Sequence, residues 1–348
     1  MQKDKVFYPT KSLKSPTTSS LETVTLSELY DTAYTPAITL IENFLSSGVY
    51  LLAGPPKIGK SFLMAQLAYH VATGKEFFNH KVTAASVLYL SLEDSLTRLQ
   101  KRFSRMFGVD INANLYLSTK SKSLKQGLER QLTDFLQNKP ATKLVIIDTL
   151  QKIRELTSSA YSYASDYHII NLLKEIASRH NICIVVVHHT RKMEAEDKFD
   201  MISGTTGLLG AADGAMILQK KNRTDKHAQL NIVGREVQDQ EIILEFMPEN
   251  CTWKFIRSCQ QLWEEPKDLL LEKVASLVSN EQKLWRGTAT QMLKDLNIST
   301  EELRANILTR KLNVNADRLY NDYGIFYTNK RASNGSDITL QKLDAKAA

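Results

Sequence analysis

From about residue 37 to residue 260, short apolar runs alternate with stretches in which apolar positions recur every three or four residues. That alternation predicts strands joined by crossover helices, an α/β arrangement. The predicted strands are 49–53, 87–92, 115–118, 143–147, 182–187 and 214–219. Ile182 to Val187 (ICIVVV) is apolar at every position, which predicts a strand covered on both faces, as in a parallel sheet. Helices are predicted over 60–73, 95–107, 123–137 and 162–179. In the first of these, Leu63, Leu67 and Val71 recur at i, i+4 and i+8, and Gly74 follows where a C-terminal cap belongs. Runs at 228–233, 241–246 and 252–256, separated by Gly, Pro-Glu-Asn and charged turns, predict an antiparallel extension of the same sheet.

The two ends of the chain read differently. Residues 1–20 are rich in Ser and Thr, lack an apolar period, and set Lys3, Lys5, Lys11 and Lys14 against Asp4, which predicts a flexible basic tail. The composition shifts again near Pro266, so 21–260 is assigned to one domain and 267–348 to a smaller one. Helices are expected over 268–279, 289–296 and 299–312. Two strand-like runs follow, Ile325 to Tyr327 and Ile338 to Leu340, joined by a turn over Ser333 to Ser336. Three helices and then a hairpin is the order of a winged helix-turn-helix. In that reading the helix over 299–312, opened by Ser299 or Thr300 as N-cap, enters the major groove with Arg304, Arg310 and Lys311. Lys330 and Arg331 at the hairpin tip would meet phosphates. From Lys267 onward thirteen Lys and Arg face ten Asp and Glu, a net of only +3, and that balance keeps a protein-binding role open.

Composition narrows the function classes. A chain of 348 residues has room for about two domains, and 43% hydrophobic with 24% charged residues excludes wholesale disorder and a fibrous repeat. No stretch approaches the roughly 18 apolar residues of a membrane span, and the polar start is unlike a secretion signal, so a cytoplasmic protein is expected. Cys183, Cys251 and Cys259 show no C-x-x-C spacing, which supports neither a disulfide framework nor a zinc site. The formal charge of +7 points towards a polyanionic partner without naming it.

The chemistry is concentrated in a few segments. Gly54-Pro55-Pro56-Lys57-Ile58-Gly59-Lys60-Ser61 matches G-x-x-x-x-G-K-[ST] and lies between an apolar strand and an amphipathic helix. Its backbone N–H groups and the positive helix end would surround nucleotide phosphates, and Phe62 is counted with this stretch. Lys60 would supply charge to the β and γ oxygens, and Ser61 a hydroxyl to magnesium. Leu144 to Asp148 is an apolar strand ending in a carboxylate, with Asp148 expected to hold the magnesium through its water shell. Glu93 should emerge at the C-terminal edge of the sheet as the base for an attacking water; alternatively Glu93 and Asp94 merely charge the first turn of the next helix. His188 and His189 follow another strand. Adjacent residues of an extended chain point opposite ways, so one is expected to reach the γ-phosphate region and the other to pack. Lys192 to Gly204, leading into the Gly-rich stretch up to Gly207, reads either as a loop reporting hydrolysis to another ligand or as a surface excursion.

Taken together, the segments Leu51–Ser61, Leu88–Asp94, Ile147–Leu150, His188–Lys192 and Ser203–Asp213 resemble the RepA-type AAA family ATPases. Those are RecA-like proteins of plasmids, phages and other mobile elements, similar to hexameric replicative helicases. The resemblance covers about residues 37–257. It implies a RecA-like P-loop core binding ATP and Mg2+. Lys60 and Ser61 become the Walker A pair, Glu93 the catalytic glutamate, Asp148 the Walker B acid, and His188 or His189 the sensor. It also implies a homo-oligomer, a hexameric ring, acting on single-stranded or origin DNA and not on a membrane. Helicase members carry an arginine finger on the strand after the Gly-rich loop, but Asp213 to Ile217 has no Arg. Arg235, Lys221 and Arg223 are the nearest basic candidates, each with a surface ion pair as the alternative. Trp285 to Ala289 with Leu319 to Ile325 is similar to winged-helix modules behind phage primases and helicases. The expected activity is that of an ATP-driven motor in replication of a mobile element or phage. A loader or recombinase-like ATPase, and an ATP-switched DNA-binding regulator, are the alternatives.

Overall fold

The computed structural model describes residues 21, 23–109, 112–154, 163–190, 199, 202, 206–222, 224–259, 267–332 and 335–343. The basic tail over 1–20 and nearly all of 191–205 therefore lie outside the described residues, as does Arg223.

A short helix, α1 (Leu26–Asp31), precedes a small hairpin of β1 (Thr39–Ile41) and β2 (Leu45–Ser46). The large sheet then takes β3 (Gly48–Ala53), β4 (Ser86–Ser91), β5 (Leu115–Ser118), β6 (Thr142–Asp148), β7 (Cys183–Val187) and β8 (Gly214–Gln219). All six run parallel. Between them lie α2 (Lys60–Thr73), α3 (Leu96–Phe107), α4 (Leu128–Asn138), α5 (Leu150–Ile153), α6 (Tyr163–His180) and α7 (Thr206–Ala211). The antiparallel strands β9 (His227–Gly234), β10 (Gln240–Met247) and β11 (Thr252–Ser258) extend it, giving the order β11-β10-β9-β8-β3-β7-β6-β4-β5. Parallel sheets need cover on both faces. Along β3, Tyr50 and Leu52 join a core with α2, while Val49, Leu51 and Ala53 join a second core with α4 and α6. That two-sided burial explains strands that are apolar at every position.

The remaining elements are α8 (Leu269–Ala275), β12 (Leu284–Thr288), α9 (Ala289–Asp295), α10 (Ala305–Val314), α11 (Ala316–Asn321), β13 (Ile325–Ala332) and β14 (Gly335–Lys342). The last three strands form a separate sheet, ordered β12-β14-β13, over a third core built on Leu271, Leu293, Leu308, Leu312, Leu319 and Leu340.

Several predicted boundaries move. The helix expected over 123–137 begins at Leu128, because Gly127 takes a left-handed φ of 95° at its N-cap. The helix expected over 299–312 begins at Ala305 with Arg304 at the N-cap, and Ser299 instead accepts the Glu302 N–H inside a preceding turn. The helix expected over 268–279 stops at Ala275, with Ser276 as its C-cap. α1, β1, β2, α5, α7 and α11 were not anticipated, being too short to show a period, and β12 is recognisable only through its pairing with β14.

The segment after α1 runs between the two parts. Asn181, next to α6, donates to Pro36 O at 2.6 Å and accepts from Ile38 N at 3.3 Å. Asn321, at the end of α11, donates to Ala37 O at 3.2 Å and accepts from Thr39 N at 3.5 Å. Alternate residues of an extended chain face opposite ways, so each asparagine takes one side of this strap.

Candidate active site

Parallel strands deliver their C-terminal ends to one edge, and that edge holds the predicted chemistry. β3 ends at Ala53, and the loop over residues 54–59 turns into α2 at Lys60. Gly54 lies against β8: an added Cβ would stand 2.6 Å from Leu218 O. Gly59, the N-cap of α2, has φ 109°, a value open to glycine and costly for other residues. Pro55, Pro56 and Lys57 are exposed at the crest of the loop, and Ile58 is half-buried. Phe62 turns its ring away from the loop, towards Phe246 at 5.7 Å and beneath the Arg102 guanidinium at 5.2 Å.

Lys60 is buried. Its ammonium donates to Gly54 O at 2.6 Å and Pro55 O at 3.0 Å. Burial holds its pKa down to about 8, opposed by the negative charges of Asp148 and Glu93. The same ammonium lies 3.3 Å from Nδ1 of His189. An ammonium has no acceptor, so Nδ1 takes the hydrogen bond and the ring proton sits on Nε2. Burial, and then Lys60, hold the His189 pKa down, which keeps that neutral tautomer. His188 is buried, its N–H donating to Leu52 O at 2.8 Å. His189, then, is the histidine that faces the phosphate loop.

Asp148, at the end of β6, is 4% exposed. Burial raises its pKa, while hydrogen bonds from the side chains of Ser61 and Tyr89 oppose the rise. The Tyr89 hydroxyl donates to Asp148 Oδ2 at 3.1 Å. A hydroxyl and a buried carboxylate side by side form a hard-oxygen donor set suited to Mg2+. Glu93 follows β4 by two residues and is exposed, with Oε1 accepting from the Thr149 hydroxyl at 3.2 Å. Asp94 does something else. It accepts from Ser91 Oγ at 2.9 Å and pairs with Arg102 at 2.7 Å, while Ser95 caps α3. Of the two acids, Glu93 is the one hydrogen-bonded to the residue that follows Asp148.

Arg235 is not brought to this cluster. β9 ends at Gly234, paired with Gly214 at the start of β8, so Arg235 lies at the opposite end of the sheet and within 4.0 Å of Asp213. Lys174 is the closer partner of that carboxylate, at 2.7 Å. Lys221 is exposed just past β8 on the nucleotide side, and Lys220 beside it rests over the Trp253 ring, 5.9 Å from the centroid. Along α10, Arg304 and Lys311 are exposed, but Arg310 donates to Asp31 of α1 at 2.8 Å. Asn313 donates to Tyr30 O at 2.8 Å, so α1 covers part of the helix face expected in a DNA groove.

Tyr89, Thr149, Gln66 and Trp253 were not among the expected site residues. Tyr89 left a signal in the sequence: a phenol at the centre of a largely apolar strand must find a partner for its hydroxyl. The others left none, since their contacts cross up to 194 residues of chain. Among the described residues no group of three or more His, Cys, Asp and Glu could hold a metal ion, and no helix is long and apolar enough to cross a membrane.

Comparison with known proteins places this geometry. The DNA repair protein RadA of Streptococcus pneumoniae is 29% identical over 144 residues, which is 41% of this chain and 30% of RadA. The chain thus spans about a third of the length of the curated relatives it matches. A solved ATPase domain superposes with a TM-score of 0.51 at 15% identity, covering 61% of this chain and 85% of that domain, and shows a shared fold. A DnaB-like replicative helicase, solved in a study of its interactions with primase, gives a TM-score of 0.47 at 16% identity over 60% of this chain and 57% of its own. A family model described as an AAA domain matches residues 15–195, just over half of the sequence, and on that match the chain belongs to the AAA_25 family.

Proposed function

We propose that this chain is an ATP-hydrolysing motor of the RepA-like replicative helicase type, acting on DNA in replication of a mobile element or phage. The observation that carries the reading is the meeting of Lys60, Ser61, Asp148, Glu93 and His189 on one sheet edge. In this reading the loop amides and Lys60 hold the β and γ phosphates, and Glu93 orients and deprotonates the attacking water. His189 Nε2–H donates to the terminal phosphate. Ser61, and Asp148 through a shell of water, would hold Mg2+, which when bound would neutralise charge on the phosphate oxygens.

The subunits act as a ring in which a basic residue of one chain meets the nucleotide of the next. Lys221, on the nucleotide side of β8, suits that role better than Arg235, which answers Asp213 at the far end. The C-terminal part, from Lys267 onward, is read as a winged-helix domain and residues 21–260 as the ATPase domain. Four helices, where the sequence suggested three, with a strand and a hairpin around one core support that division. Turnover per subunit should rise with protein concentration and with single-stranded DNA, and mass measured in ATP should exceed that of a monomer. Turnover indifferent to both would end the ring reading.

The likeness to RadA, named a DNA repair protein, favours a second reading: a recombinase-like ATPase that binds DNA without unwinding it. Forked DNA decides between them. Strand displacement supports the motor, and DNA-stimulated hydrolysis without displacement supports the recombinase-like role.

A further inference from the structure

The edge strand of the large sheet reaches into the phosphate loop. Trp253 of β11 is 1% exposed, and its indole Nε1–H donates to the Gly59 carbonyl at 3.2 Å. The same carbonyl accepts the Leu63 N–H at 3.0 Å, the first bond of α2. A peptide unit is planar with its C=O and N–H on opposite sides, so fixing the Gly59 carbonyl fixes the direction of the Lys60 N–H. That N–H belongs to the first turn of the helix, whose donors have no partner within it and are the groups a phosphate takes. Ring and loop touch: a Cβ at Gly59 would stand 2.9 Å from Trp253 Cζ2.

Trp253 is in turn held by the helix it serves. Gln66 donates to Trp253 O at 2.9 Å and accepts from Trp253 N at 2.8 Å, and both residues are buried. A closed circuit results, from Gly59 along α2 to Gln66, across to Trp253 and back to Gly59. Phe246 packs edge-on against the indole at 5.1 Å.

We propose that Trp253, locked by Gln66, is a positioning residue for nucleotide binding: it orients the Gly59–Lys60 peptide towards the phosphates and couples their arrival to β11. The inference rests on the ATP reading of the phosphate loop. The full chain carrying W263F and W285F keeps Trp253 as its only tryptophan, out of three. Titrated with ADP, its emission should change with the same half-saturation as binding measured by equilibrium dialysis, and adenosine should leave it unchanged. In the otherwise unaltered chain, W253F keeps an aromatic ring and removes the indole N–H. The Kd for ADP and the KM for ATP should rise about three- to ten-fold, the worth of one hydrogen bond. The kcat should stay within about two-fold, because the loop amide serves ground state and transition state alike. Q66M should move Kd and KM the same way by less. ADP binding without an emission change, or wild-type affinity in a folded W253F, would overturn the proposal; if W253F does not fold, the emission measurement decides. If the wild-type chain binds no ADP by dialysis, the nucleotide reading itself has failed and this inference falls with it.

Discussion

At the nucleotide edge, side chains from the ends of β3, β4, β6 and β7 stand within hydrogen-bonding reach of one another. Along α10, Arg304, Arg310 and Lys311 spread over two turns and meet solvent or the α1 segment. Both regions carry charged side chains, yet only the first gathers them, setting Lys60 near Asp148 and Glu93. The parallel sheet forces convergence, since each strand ends on the same side, and each acid then acquires a fixed neighbour: Tyr89 for Asp148, Thr149 for Glu93. A helix lying on a small core imposes no such meeting. Its basic residues are placed by the burial of Leu308 and Leu312. Charge density along a sequence is therefore a weaker guide to a site than the fold that gathers the charges.

The contrast can be tested first where it is greatest. Lys60→Ala should lower ATP hydrolysis by about 10³-fold or more, since a preorganised cation at the transferred phosphate is lost. Full turnover in that variant would dissolve the distinction between the two regions. Glu93→Gln should keep ATP binding, read by dialysis, while turnover drops by about 10²- to 10⁴-fold. Asp94→Asn at the adjacent position should disturb α3 and leave much of the turnover in place.

Leu308→Ala probes the other region. Removing a fully buried leucine should cost the C-terminal part about 2–5 kcal/mol. The expected signature is a C-terminal melting transition that moves down while DNA-independent hydrolysis stays put. If both transitions move together, the two parts fold as one unit and the boundary near Pro266 is wrong. The smallest effect is expected from Asp31→Asn. Its partner Arg310 is a partly exposed side chain, and such pairs contribute little to stability. If α10 meets DNA, releasing Arg310 should steepen the dependence of log K on log salt by about one unit. An unchanged slope would mean that this face serves something other than DNA.

The order of the sheet strands and of the longer helices in the core was legible because those elements are long enough to show their period, whereas α5 and α7 are not. The ICIVVV run announced burial on both faces, and the cores on either side of β7 bear this out. The C-terminal part was less legible. The helix placed at 299–312 starts at Ala305, as the Ser299 side chain serves a turn of its own. The strap between Asn181 and Asn321 left no trace in the pattern, since its partners are single side chains from distant elements.

Signals written in a handful of consecutive residues, such as a buried strand or the G-x-x-x-x-G-K-S turn, could be read from the chain without its fold. Choosing His189 over His188, separating Glu93 from Asp94, and seating Trp253 against Gly59 all depended on how the sheet is assembled. A hydrogen bond is decided by a few tenths of an ångström between atoms, and spacing along a polymer holds no record of that distance until strand register and helix packing have set it.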